Sequence, residues 1–178
     1  WTPVTRSSRM PSSAWKKNYG ENITSGDCNE RTAFLRHDYH SFPTPARLSS
    51  IDPEDLKSTC KVGFRADRVV ETSKIIANED LDIKSIYNLN RDKGKELLMT
   101  LPGVGPKVSD CILLFAYKKS NAFPVDVWIK RVMEHFYLKK DSNVKYIGEY
   151  GTKLFGDLGG FAQQYLFYYA REKEIGKK

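Results

Sequence analysis

Apolar residues along this chain recur at intervals of three and four, the spacing of one helix face, and not at two. From Phe34 onward nearly every segment reads as a short helix closed by a short turn, with no alternating stretch of the kind a half-buried strand requires. Asp52-Pro53-Glu54-Asp55 places a cap residue before a proline at the first helical position, with acids in the first turn, and predicts a helix running to about Cys60. Ala66, Val69, Val70, Ser73 and Ile76 form the apolar stripe of another. Asp82 is positioned to cap a short helix through Tyr87, and Asp92 a further one through Met99. Residues 107–118 and 126–138 predict two helices with apolar faces Val108-Cys111-Ile112-Phe115 and Val127-Val132-Met133-Phe136. A last pair covers about 144–155 and 160–172, parted by Gly156 and Gly159-Gly160. Residues 1–33, rich in Ser, Asn, Lys, Arg and Gly, fit neither period. The expectation is an unassigned segment over 1–33 followed by a compact all-α core over 34–178.

Composition and charge narrow the partners. With 178 residues the chain has room for one domain, or for a core with one small lobe. Lys and Arg number 29 against 22 Asp and Glu, a net charge of +7 that favours a polyanionic partner without naming it. Cys28, Cys60 and Cys111 form neither an even framework nor a C-x-x-C pair, which points to a reducing, intracellular compartment. The longest apolar run, Cys111 to Tyr117, falls far short of the ~20 residues of a membrane span. No basic-then-apolar signal pattern opens the chain, and Trp1 in place of Met is what the later part of a longer chain would show.

The stretch most specific for chemistry is Leu97 to Val108, read Leu-Leu-Met-Thr-Leu-Pro-Gly-Val-Gly-Pro-Lys-Val. One helix ends, two glycines permit a tight turn with unpaired backbone amides, and a new helix opens at Lys107. Amides gathered at a helix N-terminus form an anion site that suits a duplex phosphate, with Gly103, Val104 and Gly105 as the contacting residues. A plain turn between two helices would explain the glycines alone, but not the whole Leu-Pro-Gly-Val-Gly run with a basic residue behind it. Nineteen residues after Lys107 stands Asp126, closing Phe123-Pro124-Val125 and opening the next helix. Taken singly, Asp126 is an N-cap and Lys107 a solvated surface lysine. Together an amine and a carboxylate converging on one cleft can do more. A neutral lysine attacks an electrophilic carbon, and a carboxylate stabilises positive charge developing on a sugar ring.

On these residues the chain resembles the helix-hairpin-helix DNA glycosylases with a Gly/Pro-rich loop and catalytic aspartate. The matching positions are Leu101 to Gly105, Lys107 and Pro124-Val125-Asp126. Within that superfamily it resembles most the 8-oxoguanine DNA glycosylases, through Gly-Pro-Lys-Val-Ser-Asp-Cys (105–111), Gly63-Phe64-Arg65-Ala66 and Gly160-Phe161-Ala162-Gln163-Gln164-Tyr165-Leu166-Phe167. The likeness covers about residues 40 to 172. It implies Lys107 as a Schiff-base nucleophile and Asp126 as the aspartate assisting glycosidic cleavage. Cys111 and Phe167 would sandwich an extruded purine, Gln163 would read its Watson–Crick edge, Phe64 would fill the vacated stack and Arg65 would hold the widowed cytosine. A flipped base needs flat apolar faces and an amide edge, and the gap it leaves needs a plug.

The resemblance therefore implies a monomeric bifunctional DNA glycosylase and AP lyase of base excision repair. It would act on 8-oxoguanine opposite cytosine in double-stranded DNA, in a bacterial cytoplasm or a nucleus. A non-catalytic helix-hairpin-helix DNA-binding module, or the same scaffold acting on another damaged base, is the alternative. No cysteine follows Cys111, which leaves no place for the four-cysteine iron–sulfur cluster of related glycosylases. The hairpin can hold a phosphate through a monovalent cation, as the resemblance implies, and no metal site is otherwise expected. His37-Asp38-Tyr39-His40 offers two imidazoles without a third ligand and reads as surface. Three features depart from the family pattern. Nothing matches the N-terminal β-rich domain of the better-known 8-oxoguanine glycosylases, the stretch Met10 to Lys16 does not fit their Asn-rich helix start, and Trp128 stands where a histidine commonly follows the aspartate by two positions.

Overall fold

The computed structural model describes residues 17–21 and 41–176. They fall into two compact units, one up to Ile83 and one from Lys84 on. The expected boundary at residues 33/34, the segment Met10 to Lys16 and the histidines at 37 and 40 lie outside the described residues.

The first unit contains α1 (Pro45–Ser49), α2 (Pro53–Cys60), a 3-10 turn over Gly63–Arg65 and α3 (Ala66–Ala77). Asp52 caps α2 as its sequence predicts, its Oδ1 accepting the Glu54 amide at 2.8 Å. Leu48, Leu56, Cys60, Val62, Ala66 and Val70 close its core.

The second unit runs from a 3-10 turn (Ser85–Tyr87) through α4 (Arg91–Leu98), α5 (Pro106–Phe115) and α6 (Val127–Met133), which continues as a π-helical turn, Glu134–Leu138. It ends with α7 (Val144–Phe155), a 3-10 turn (Gly156–Leu158) and α8 (Gly159–Glu172). Phe123, Val125, Ile129, Val132, Met133, Ile147 and Ala170 are buried together, so the floor of this unit is α6, α7 and α8 packed around the extended segment before Asp126. Among the described residues every regular element is helical, as expected for an all-α fold.

Three local expectations differ. The helix expected from Asp82 to Tyr87 is only a three-residue 3-10 turn, Ser85–Tyr87, whose N-cap position is Lys84, with Ile86 its single buried side chain. The cap of α4 is Asn90, whose extended backbone lets Oδ1 accept the Lys93 amide at 2.9 Å, while Asp92 sits inside the first turn against Arg91. The predicted core faces of α5 and α6 are buried only in part: Val132 and Met133 are buried as expected, and Cys111 and Ile112 are half-buried. Val108, Phe115, Val127 and Phe136 are exposed, and α5 buries Ser109, Asp110 and Leu113 instead. A polar side chain can be buried once its hydrogen bonds are met, and the Ser109 hydroxyl donates to the Pro106 carbonyl while Asp110 is held by two cations.

Candidate active site

The hairpin joins α4 to α5. Leu98 and Leu101 anchor it in the interior, the Val104 amide donates to the Leu101 carbonyl at 3.1 Å, and Gly103 takes φ +75°, a left-handed conformation that a side chain would strain. Gly105 is the N-cap of α5. Having no side chain, it caps nothing, and Pro106 at the first helical position contributes no N–H. The amides of Lys107 and Val108 are thus left for an outside acceptor at the positive end of a ten-residue helix. A Cβ on Gly105 would meet nothing within 4 Å, so the space over the turn is open. No carboxylate lies between Leu97 and Val108, so a cation here would be held by backbone carbonyls and the Thr100 hydroxyl, neutral oxygens suited to a weakly bound monovalent ion.

Lys107 is exposed in the first turn of α5. Asp126 stands half-buried at the start of α6, carried there by the buried Phe123-Pro124-Val125, and its Oδ1 accepts the Ile129 amide at 2.8 Å. It is therefore an N-cap, as a bland reading requires, and Oδ2 takes no part in that bond. Cys111, one turn beyond Lys107, is half-buried. Burial pushes its thiol up from the ordinary cysteine range, the Lys107 charge opposes that, and the Asp110 and Asp126 charges add to it. The charges of Lys107 and Asp126 thus both act on Cys111.

On α8, Gln163 is buried and Phe167 half-buried, one turn apart and so on the same side of the helix. The Gln163 Oε1 accepts from the Gln164 amide at 2.5 Å. Phe167 packs onto the core of its unit, with the Arg171 guanidinium 5.4 Å from its ring centre. Trp128 also packs on that core, under the Arg131 guanidinium at 5.1 Å. In the first unit Phe64 is 68% exposed on the 3-10 turn, with the guanidiniums of Arg65 (4.6 Å) and Arg68 (5.7 Å) near its ring centre.

The site also contains a residue that sequence reasoning passed over. Asp110, three positions after Lys107, is 4% exposed; Arg91 Nη2 donates to its Oδ1 at 3.0 Å and Lys95 Nζ to its Oδ2 at 2.5 Å. Both cations sit one turn apart on α4, a spacing visible in the sequence, but nothing there shows that they meet α5. Arg91, Lys95, Lys107 and Asp110 line a cavity of about 780 Å³ that α7 borders with Val144 and Gly148. Among the described residues no cluster of three potential metal-ligating side chains occurs, and no helix is long and apolar enough to cross a membrane.

Comparison with known proteins places these residues in context. A family model described as HhH-GPD superfamily base excision DNA repair protein matches residues 14–155. A "Probable N-glycosylase/DNA lyase" of Methanothermobacter thermautotrophicus is 38% identical over 164 residues, covering 82% of this chain and 52% of that protein. The N-glycosylase/DNA lyase of Saccharomyces cerevisiae is 31% identical over 125 residues, 65% of this chain and 33% of the yeast protein. A crystal structure of Clostridium acetobutylicum 8-oxoguanine glycosylase/lyase, in complex with double-stranded DNA containing cytosine opposite 8-oxoguanine, superposes with a TM-score of 0.79 at 38% identity. That match covers 91% of this chain and 52% of the Clostridium chain, so the present chain spans about half the length of these relatives or less.

Proposed function

The chain belongs to the HhH-GPD superfamily of base excision DNA repair proteins, and from that premise we propose that it serves as a bifunctional DNA glycosylase and AP lyase excising 8-oxoguanine opposite cytosine. The observation that carries the reading is Lys107, an exposed amine at the open, uncapped mouth of the hairpin, whose charge acts on Cys111 together with that of the Asp126 carboxylate.

In this reading the hairpin amides take a backbone phosphate of the duplex, and the lesion nucleotide is turned out of the stack. A monovalent cation held by the hairpin carbonyls would add positive charge beside that phosphate. The neutral Lys107 amine attacks C1′ of the sugar as the bond to the base breaks; the departing base takes up the proton that the amine gives off. Asp126 steadies the positive charge that builds on the sugar ring. Ring opening leaves a Schiff base between Lys107 and C1′, and loss of a C2′ proton expels the 3′-phosphate, nicking the strand. Cys111 and Phe167 supply apolar faces for the base and Gln163 its hydrogen-bonding edge. The exposed Phe64 fills the gap, and Arg65 pairs with the orphan cytosine.

The test is borohydride trapping on end-labelled duplexes carrying 8-oxoguanine opposite cytosine, an abasic site, an oxidised pyrimidine, or no lesion, with wild type and Lys107→Gln. A covalent band on the 8-oxoguanine duplex that disappears in Lys107→Gln is the expected result. Trapping confined to the abasic duplex would overturn the assignment of the base and leave the lyase chemistry standing. No trapping on any duplex would overturn the enzyme in favour of a DNA-binding module.

A further inference from the structure

A lysine nucleophile must shed its proton, so a carboxylate one helical turn away is a hazard. Residues at i and i+3 are neighbours on a helix surface, and Asp110 stands three positions after Lys107 on α5, lining the same cavity. Left free, it would be the natural ion-pair partner of Lys107 and would hold the amine in its charged, unreactive form. Yet both of its oxygens are taken from the other side, Oδ1 by Arg91 at 3.0 Å and Oδ2 by Lys95 at 2.5 Å. Among the described residues Lys107 itself has no ion pair.

We propose that Asp110 is a positioning residue for Lys107: its buried bridge to Arg91 and Lys95 pins the first turns of α5 against α4 across the hairpin and keeps its carboxylate from capturing the lysine amine. Two cations on one anion are more than neutralisation needs, and the arrangement recovers the cost of burying Asp110 only because both oxygens are satisfied. The remaining charges on this cavity are Asp92 and Glu96 on α4, and Lys145 and Glu149 on α7; Cys111 on α5 and Asp126, whose Oδ1 is spent on the Ile129 amide at the start of α6, also lie nearby. Arg91 also engages Asp92 at 3.1 Å. The proposal rests on Lys107 being the nucleophile.

The test uses the 178-residue chain and a duplex with a single abasic site, so base recognition plays no part. Borohydride trapping rates are measured from pH 6 to 10 for wild type, Lys95→Met, Asp110→Asn, the double variant and Lys107→Gln, with DNA affinity alongside. Lys95→Met frees one Asp110 oxygen; its trapping at neutral pH is expected to fall about tenfold, the effect of one unit in a protonation equilibrium, and to recover at higher pH with DNA affinity unchanged. Adding Asp110→Asn is expected to return the profile to the wild-type shape. A Lys95→Met profile lowered equally at every pH, or one that the second change fails to restore, would overturn the proposal while leaving Lys107 in place. Asp110→Asn alone has no carboxylate to capture the lysine and decides the matter if Lys95→Met does not fold, since a profile moved to higher pH in it would also overturn the proposal. Trapping that survives in Lys107→Gln would instead overturn the reading on which it rests.

Discussion

Asp126 caps α6, and in the proposed function it also steadies charge on the sugar; the two tasks can be separated by substitution. Its Oδ1 caps α6 through the Ile129 amide. Asparagine caps as well as aspartate, whereas alanine forfeits about 1 kcal/mol. Asp126→Asn is expected to keep the wild-type melting temperature yet lose roughly 10²-fold or more in excision of the damaged base. Asp126→Ala should lose both, and an Asn variant that cleaves normally would strip Asp126 of its chemical role. Cys111 offers a second check. Burial raises its thiol above the ordinary range, so at neutral pH it remains the neutral, apolar form that suits a base-stacking face. Its alkylation by iodoacetamide, followed by peptide mass spectrometry, should lag a free thiol at pH 8 and catch up only as the pH rises through the elevated value.

Close contacts, more than helix propensity, decide how the elements of the second unit seat the site. A Cβ at Gly151 of α7 would lie 2.5 Å from the buried ring of Phe123, the residue that begins the extended run into Asp126. Gly151→Ala should therefore cost roughly 1–3 kcal/mol by overpacking, read as a lower urea midpoint, and should disturb cleavage through Asp126. A variant as stable as wild type would mean that Phe123 moves freely, against its complete burial. The helices themselves were legible wherever cap and first-turn chemistry coincide, as at Asp52-Pro53 and at Asp126. They were misread where two candidates compete, because choosing Asn90 over Asp92 depends on which backbone is extended. On α5 the apolar letters pointed to Val108 and Phe115, but the buried side is the one on which Ser109 bonds back to the Pro106 carbonyl and Asp110 meets two cations from α4.

At the scale of the molecule, the surplus of basic residues sets the expected response to salt. With a net charge of +7 and a hairpin offering amides to phosphate, the logarithm of the DNA association constant should fall linearly with that of the salt concentration, by about 0.9 per phosphate contacted. A titration at several potassium chloride concentrations checks this, and affinity indifferent to salt would contradict it. The helical class, the glycine hairpin and the cap at Asp126 could be read from the chain alone, because each rests on local chemistry: a periodicity, a turn that glycine permits, a carboxylate at a helix start. What came only with the folded chain was which polar side chains are buried and with what. The bridge from Asp110 to Arg91 and Lys95 spans fifteen to nineteen residues, and the exposure of Phe64 beside two guanidiniums depends on how its turn is presented. Contacts between segments distant along the chain leave no period in it, so tertiary packing alone determines them.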